Sequence, residues 1–345
     1  MSEALKNTRH PLDRLRDPGT VRARCRAVLR AVDNGVSEHF RLERAALPAV
    51  ADRVAALTLA RFPDLRIPYH SRWRHFEAGG VDRKPALDAL LAGRDAADAA
   101  RTRFDLTVVS VLLDAGAGPD WKYTEDGGGV FVRSEGLGVA SWHAFLRGAF
   151  SSSSAEPLRA DAAALEKVDG AALRAVFQAS PSNPMVGLEG RAGLLQRLGA
   201  TLRQAGGAGA RPALMFDHLT QNGMATEVSA TQILREVLRT LGPIWTSGSL
   251  VQGLPGGDVW PHRWAGAATG DGGDDATTAG WVPFHKLSQW LSYSLLEPLQ
   301  WAGVTVTGLD ALTGLPEYRT AACCSTPACW CRATRASSPA PGSPR

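Results

Sequence analysis

The densest concentration of reactive side chains lies between Ile67 and Arg83, in the string IPYHSRWRHFEAGGVDR. Arg72, Arg74 and Arg83 have the forked geometry that binds a phosphate or carboxylate bidentately. Tyr69, Trp73 and Phe76 offer flat faces on which a planar group can stack. His70 and His75 are five apart, so they miss a shared helix face and fall on opposite faces of a strand; the pair by itself is a poor metal site. The same composition also suits a loop latched by arginine–acid pairs and packed tryptophan. A second candidate is Asp114, which closes the apolar run LTVVSVLLDAG. There the helix C-terminal dipole and burial both disfavour an ionised carboxylate, so Asp114 needs a partner, such as a cap interaction, or a function. Trp121 ends this block in GAGPDW, which lacks the preceding strand of a dinucleotide-binding turn.

Four further blocks carry polar chemistry. Arg133-Ser134-Glu135-Gly136 opens a helix and reads as an N-cap with helix-dipole complementarity rather than a catalytic group. Gly242 to Trp264, rich in Trp and Gly, suits a loop that lines a cleft or covers the core. In Val282–Tyr293, Pro283 sits where a helix begins, and Lys286, Gln289 and Tyr293 follow at i, i+3 and i+7. That spacing gathers an ammonium, an amide and a phenol on one face, suited to a sugar phosphate or to a solvated stripe. Finally, Glu317, Tyr318 and Arg319 place an acid, a phenol and a guanidinium in consecutive positions.

The elements that must position these groups are mainly helical. Apolar spacing predicts helices at about 20–33 with Thr20 as N-cap, 44–61 with Leu47, Val50, Val54 and Leu57 on one face, and one opening at Pro85. Another runs over 95–114, polar first and then almost wholly apolar, with its C-terminal half deeply buried. Further helices fall at about 135–150, 171–179, 188–204, 229–241, 284–301 and 308–314. Val130–Val132 is a candidate short strand. The reading is a mainly α single large domain over 1–319, with at most a small β element; the 152–183 stretch is a candidate hinge if there are two lobes. Gly266–Gly280 has the composition of a flexible connection.

No apolar run approaches the ~18 residues that span a bilayer, and the N-terminus has no apolar h-region of a secretory signal, so a cytoplasmic protein is expected. The net charge of +4 and the five Cys mislead until located. Cys323, Cys324, Cys329 and Cys331 cluster in a 320–345 tail that holds three Arg and no acid, without which the body is nearly neutral. Neither a zinc spacing nor a dense basic stripe is present, which argues against a structural metal and against nucleic acid. The tail has no period and reads as aberrant and disordered. Back-translated with GC-rich codons and read one base out of phase, it becomes NGGLLLDTGVLVP, with the apolar and turn residues of folded protein. The expectation is a frameshift after Arg319.

The strings IPYHSRWRHFEAGGVDR, SVLLDAGAGPDW, RSEGLGVASW, NPMVGLEGRAGLL, VPFHKLSQWLSYSLLEPLQWAG and LTGLPEYR resemble the uracil-catabolism family of fungi and bacteria over about residues 10–319. That family continues past the last string with an apolar segment like the out-of-phase reading, from which this chain departs. Fainter similarity links VVSVLLDAGAGPDW, FHKLSQ and LTGLPEYR to queuosine salvage nucleotide N-glycosidases, helical proteins related in fold to DNA glycosylases.

Together the resemblances imply hydrolysis of an N-ribosyl bond in a ribosylurea-type intermediate, with or without a 5′-phosphate, and no cofactor or metal. Glu317 is the first choice and Asp114 the second for a carboxylate that stabilises an oxocarbenium-like sugar and activates water. Lys286 and Arg319, with His285, would hold a phosphate. His70, Arg72, Trp73, Arg74 and His75 would hold the leaving group, with Trp121, Gln289 and Tyr318 counted among the binding residues. The alternatives are a metal-dependent amidohydrolase that cuts the urea using His70 and His75, and a non-catalytic partner of another pathway enzyme.

Overall fold

The computed structural model describes residues 11–245, 249–265, 278–315 and 330–332. Thirteen α-helices are present among them. The chain begins with α1 (Pro11–Leu15) and α2 (Pro18–Asp33), followed by α3 (Leu47–Arg61), the single turn α4 (Arg72–His75) and α5 (Lys84–Leu90). Next come α6 (Ala96–Leu112), α7 (Arg133–Leu146), α8 (Ala162–Leu165) and α9 (Gly170–Val176). The last are α10 (Leu188–Gly206), α11 (Leu214–Leu219), α12 (Ala230–Leu241) and α13 (Lys286–Trp301).

Local sequence explains where several of these begin. Asp17, not Thr20, caps α2: its carboxylate accepts from Gly19 N, and Pro18 supplies the preset φ of a first helical position. Asp95 caps α6 through Asp98 N, and Ser229 with Gln232 forms a reciprocal capping box on α12. α13 starts at Lys286 because Pro283 belongs to the strand Trp281–Pro283 instead.

α6 is the central strut. From Ala99 onward nearly every residue is buried, as its apolar second half requires, and it packs on α4, α7, α10, α11 and α13. Asp105 sits within this apolar stretch and is fully buried. It accepts from Ala160 N, Ala213 N and Arg211 Nε at 3.1, 2.9 and 2.7 Å, pinning two loops to the helix. One continuous apolar core runs from Trp73 to Val304 and includes residues on both sides of 152–183, so that segment separates no lobes. The protein is mainly α, with five two-stranded sheets among the described residues. The expected strand appears as Val130–Phe131, paired with Tyr123–Thr124. In the tail, Trp330–Arg332 pairs antiparallel with Phe40–Leu42.

α3 forms where its spacing predicts, but only Val50 of its expected apolar face is buried; Leu47, Val54 and Leu57 are exposed. Most of Gly266–Gly280 lies outside the described residues. No helix among those described is long and apolar enough to cross a membrane.

Candidate functional site

Blocks that lie far apart in sequence meet at one cavity of about 1030 Å³. Its lining includes His70 just before α4 and His75 at its end, Asp114 and the glycine loop after α6, Arg133–Glu135 at the start of α7, and Lys286 and Trp290 on α13. Leu315 also lines it.

The floor is organised by Arg72, whose guanidinium is wholly buried. Nε donates to Ser110 Oγ and Nη2 to Ser110 O, both at 2.7 Å. Nη1 reaches Asp114 Oδ2 at 3.1 Å, His75 Nδ1 at 2.9 Å and Ser134 O at 3.0 Å. Ser110 Oγ lies 2.6 Å from Ser141 Oγ, which donates in turn to Gly138 O, so each hydroxyl proton is assigned. The close seat of α4 on α7 depends on Gly138, because a Cβ there would lie 2.9 Å from His75 Cβ. Gly136 performs the same service at Phe131 O, 2.8 Å from such a Cβ.

This arrangement sets two protonation features. Arginine donates only, so His75 Nδ1 must be an acceptor and the ring proton resides on Nε2. Burial, then the Arg72 charge and His70, pull the His75 pKa down to about 3, so the imidazole is neutral at pH 7. Asp114 accepts from Arg72 and, through Oδ1, from Ser134 Oγ at 3.1 Å. A carboxylate has about four lone-pair sites, so these two donors leave acceptor capacity on each oxygen. The side chain of Asp114 is 10% exposed, which keeps it in reach of the cavity.

Behind Asp114, Arg191 on α10 is buried and donates to the carbonyls of Leu113, Ala115 and Gly116 at 3.0, 2.8 and 3.2 Å. It thereby caps the C-terminus of α6 and brings a second cation near Asp114, the requirement anticipated for a carboxylate at a helix C-terminus. Sequence reading missed Arg191. The available signal was its place on the apolar face of α10, next to Ala192 and between Leu188 and Leu195.

Other sequence candidates lie elsewhere. Trp73 is buried, donates Nε1 to Ser294 O, and packs edge-on against Phe76 and Trp301. Trp121 is buried and donates Nε1 to Phe177 O. Arg74 pairs with Glu77 and Glu297. His285, buried, bonds through Nε2 to Leu15 O at 2.8 Å and ties α1 to the start of α13. Gln289 donates to Phe284 O and accepts from Thr313 Oγ1 at 2.6 Å, while Tyr293 OH donates to Thr313 O. Gln289 and Tyr293 therefore anchor the loop segment at Thr313, and only Lys286 of the expected stripe lines the cavity. Arg83 forms a latch: it grips Glu125 at 2.9 and 2.6 Å and the carbonyls of Phe76, Ala78 and Val81. Glu317, Tyr318 and Arg319 lie outside the described residues.

Ser134 was expected near a helix cap, yet Val132 occupies the N-cap position and Ser134 Oγ serves Asp114. Trp290 was also missed; it stands 5.4 Å from the Arg72 guanidinium and 5.6 Å from the His75 ring. No group of three or more His, Cys, Asp or Glu that could hold a metal ion occurs among the described residues.

The family described as "Protein of unknown function (DUF1688)" matches residues 14–323. Protein urg3 of Schizosaccharomyces pombe is 37% identical over 308 residues, covering 87% of this chain and 72% of its own. Uracil catabolism protein 4 of Lachancea kluyveri is 34% identical over 328 residues, covering 90% and 74%.

Proposed function

The chain belongs to the DUF1688 family and has a role in uracil catabolism, the process named in a relative 34% identical to it; from that premise we propose that it is an N-ribosyl hydrolase. Its substrate is a ribosylurea-type intermediate. The observation that carries the reading is the Arg72 cluster, which presents Asp114 and a neutral His75 to a cavity large enough for a nucleoside-sized ligand.

In the proposed reaction the C1′–N bond breaks as the sugar becomes oxocarbenium-like, and Asp114 stabilises the developing positive charge. Water adds to C1′ and its proton passes to Asp114, which hands it on to the departing urea nitrogen, so ribose and urea leave and the carboxylate is regenerated. His75 donates its Nε2–H to the urea carbonyl and cannot act as an acid at neutral pH, because its pKa lies near 3. Trp290 supplies an apolar wall. Glu317, the first-choice carboxylate of the sequence reading, stays in the proposal as a second candidate for this role. The frameshift after Arg319 belongs to the same proposal and rests on the out-of-phase reading of the tail.

The test is incubation of the purified chain, and of a version restored to the alternative phase after Arg319, with N-ribosylurea and its 5′-phosphate. Urea and pentose are the expected products. Ammonia with carbon dioxide would instead identify urea cleavage, and no product from either chain would identify a non-catalytic partner.

A further inference from the structure

A second cavity, of about 250 Å³, adjoins the first: Lys286 and Leu287 line both. Arg16, Trp245, Asp258, His285 and Ser288 contribute to its walls. The Gly242–Trp264 block, whose composition suits a loop that lines a cleft, therefore does line one.

Its polar groups are incompletely paired. His285 donates its Nε2–H to Leu15 O, so Nδ1 is an acceptor, and that atom has no partner among the described residues. The Ser288 carbonyl accepts from Ser292, but Ser288 Oγ has no partner among the described residues either. These two residues are only 3% and 4% exposed. Neither atom is one of the sealed polar atoms without a partner, so each keeps some accessible surface, and the cavity is what these residues line. Arg16 adds a guanidinium whose side chain is 24% exposed and whose ion pair with Asp13 stretches to 4.0 Å. It makes no side-chain hydrogen bond among the described residues. A Cβ on Gly242 would lie 2.9 Å from its Nη2, which sets the guanidinium against the cavity wall. Asp258 accepts from Lys286 N through Oδ2 and from Trp260 Nε1 through Oδ1, which leaves acceptor capacity on each oxygen. Arg16 and Asp258 form no ion pair with each other, yet the charge of each reaches the His285 ring, which burial keeps neutral.

A ligand in this cavity meets donors from Arg16 and Ser288 and acceptors from Asp258 and His285 Nδ1. An anion would be opposed by Asp258 and a cation by Arg16, so the pattern selects against net charge. Trp245, half-buried, offers a flat apolar wall. The volume falls below the roughly 300–1,000 Å³ of drug-sized sites, which limits the ligand to about a single ring. We propose that this cavity is a second ligand site, for a small uncharged planar amide or imide such as a pyrimidinedione. Its carbonyl oxygen accepts from Arg16 and Ser288, and its N–H donates to Asp258 and His285 Nδ1. The site is separate from the Asp114 cavity and does not depend on the N-ribosyl reading.

The experiment is calorimetric titration of the full chain with uracil and with N,N′-dimethyluracil, which keeps the ring and carbonyls but has no N–H donor. The parent should bind one uracil, and the dimethyl compound at least about tenfold more weakly, because it leaves the acceptors of the site unpaired. Arg16→Met should weaken uracil binding about tenfold to hundredfold, and Ser288→Ala about twofold to tenfold, the ranges for a charged and a neutral bond. Both side chains lack hydrogen bonds in the fold, so the melting curves should match the parent's; if Arg16→Met did not fold, Ser288→Ala would decide. Asp114→Asn should bind uracil as the parent does. No saturable binding at millimolar uracil, equal affinity for the two compounds, or affinity unchanged in the folded variants would overturn the site. Loss of binding in Asp114→Asn would place uracil in the other cavity and overturn it too. Urea release from N-ribosylurea decides the N-ribosyl reading separately.

Discussion

Arg72 and Arg83 come from the same short block, are both buried, and each pairs with a carboxylate 42 residues further along. Only the first pair faces the cavity. The difference is saturation. Arg83 binds both oxygens of Glu125, and His143 Nε2 approaches Oε1 at 2.5 Å, so that carboxylate takes three donors. The remaining Arg83 bonds go to the backbone carbonyls of Phe76, Ala78 and Val81. Asp114, by contrast, has one donor on each oxygen and keeps acceptor capacity on the cavity side. The pair whose carboxylate takes three donors away from the cavity holds the fold, whereas the one with two donors beside the cavity is available for chemistry.

Arg72→Met should have the largest effect because it strikes both stability and turnover. Breaking a buried pair while leaving the partner charge in place costs about 3–5 kcal/mol, and the same change releases Asp114 and the His75 tautomer. Denaturant unfolding and urea release should both record it. Arg83→Met should cost less, on the order of 1.5–3 kcal/mol for lost bonds to a charged group, with kcat of the folded fraction preserved. Loss of kcat at equal folded concentration would erase the distinction between the two pairs.

Gly138→Ala comes next. Its Cβ forces α4 off α7, an overpacking cost of about 1–3 kcal/mol, and it should lower turnover because His75 and Arg72 move with α4. A crystal structure of the variant would locate the shift. Arg74→Gln should have the smallest effect, under about 1 kcal/mol for a partly exposed pair; a larger loss in urea unfolding would give this arginine a role that its contacts do not indicate.

The two pairs should also separate by pH. Arg83 and His143 hold Glu125 down at about 2, below its ordinary 4.5. That stability is present above pH 4.5 and lost as pH falls toward 2. His75 is held near 3 against an ordinary 6.5, so the unfolded chain binds a proton that the folded chain refuses; this stability is present above pH 6.5 and lost as pH falls toward 3. His75→Gln should therefore flatten the upper part of the acid limb and Glu125→Gln the lower part, measured as unfolding free energy against pH. If both variants changed the same window, the separation would fail.

Much of this was legible in the sequence. The switch from polar to apolar along α6, the helix at 133–146 and the block residues at the cavity all follow from local pattern and composition. Partner choice did not. Nothing local distinguishes Arg72 from Arg74 or Arg83 as the guanidinium that meets Asp114, because the choice depends on how α4 sits on α6 and α7. Arg191 and Asp105 were overlooked because a single charge inside an apolar face reads as noise until its distant carbonyl or amide partners are known. The Lys286–Gln289–Tyr293 stripe was read correctly as a helix face, but its lower two members are consumed by Phe284 and Thr313.

The most direct test changes one carboxylate in each pair in the same way and compares Asp114→Asn with Glu125→Gln for urea release from N-ribosylurea 5′-phosphate, alongside substrate binding. Asp114→Asn should lower turnover about 10²–10⁴-fold while still binding substrate, the range for a lost acid–base group, and Glu125→Gln should keep turnover while melting earlier. Turnover by Asp114→Asn within about threefold of the parent, or equal losses in the two variants, would contradict the assignment of Asp114 as the reactive carboxylate.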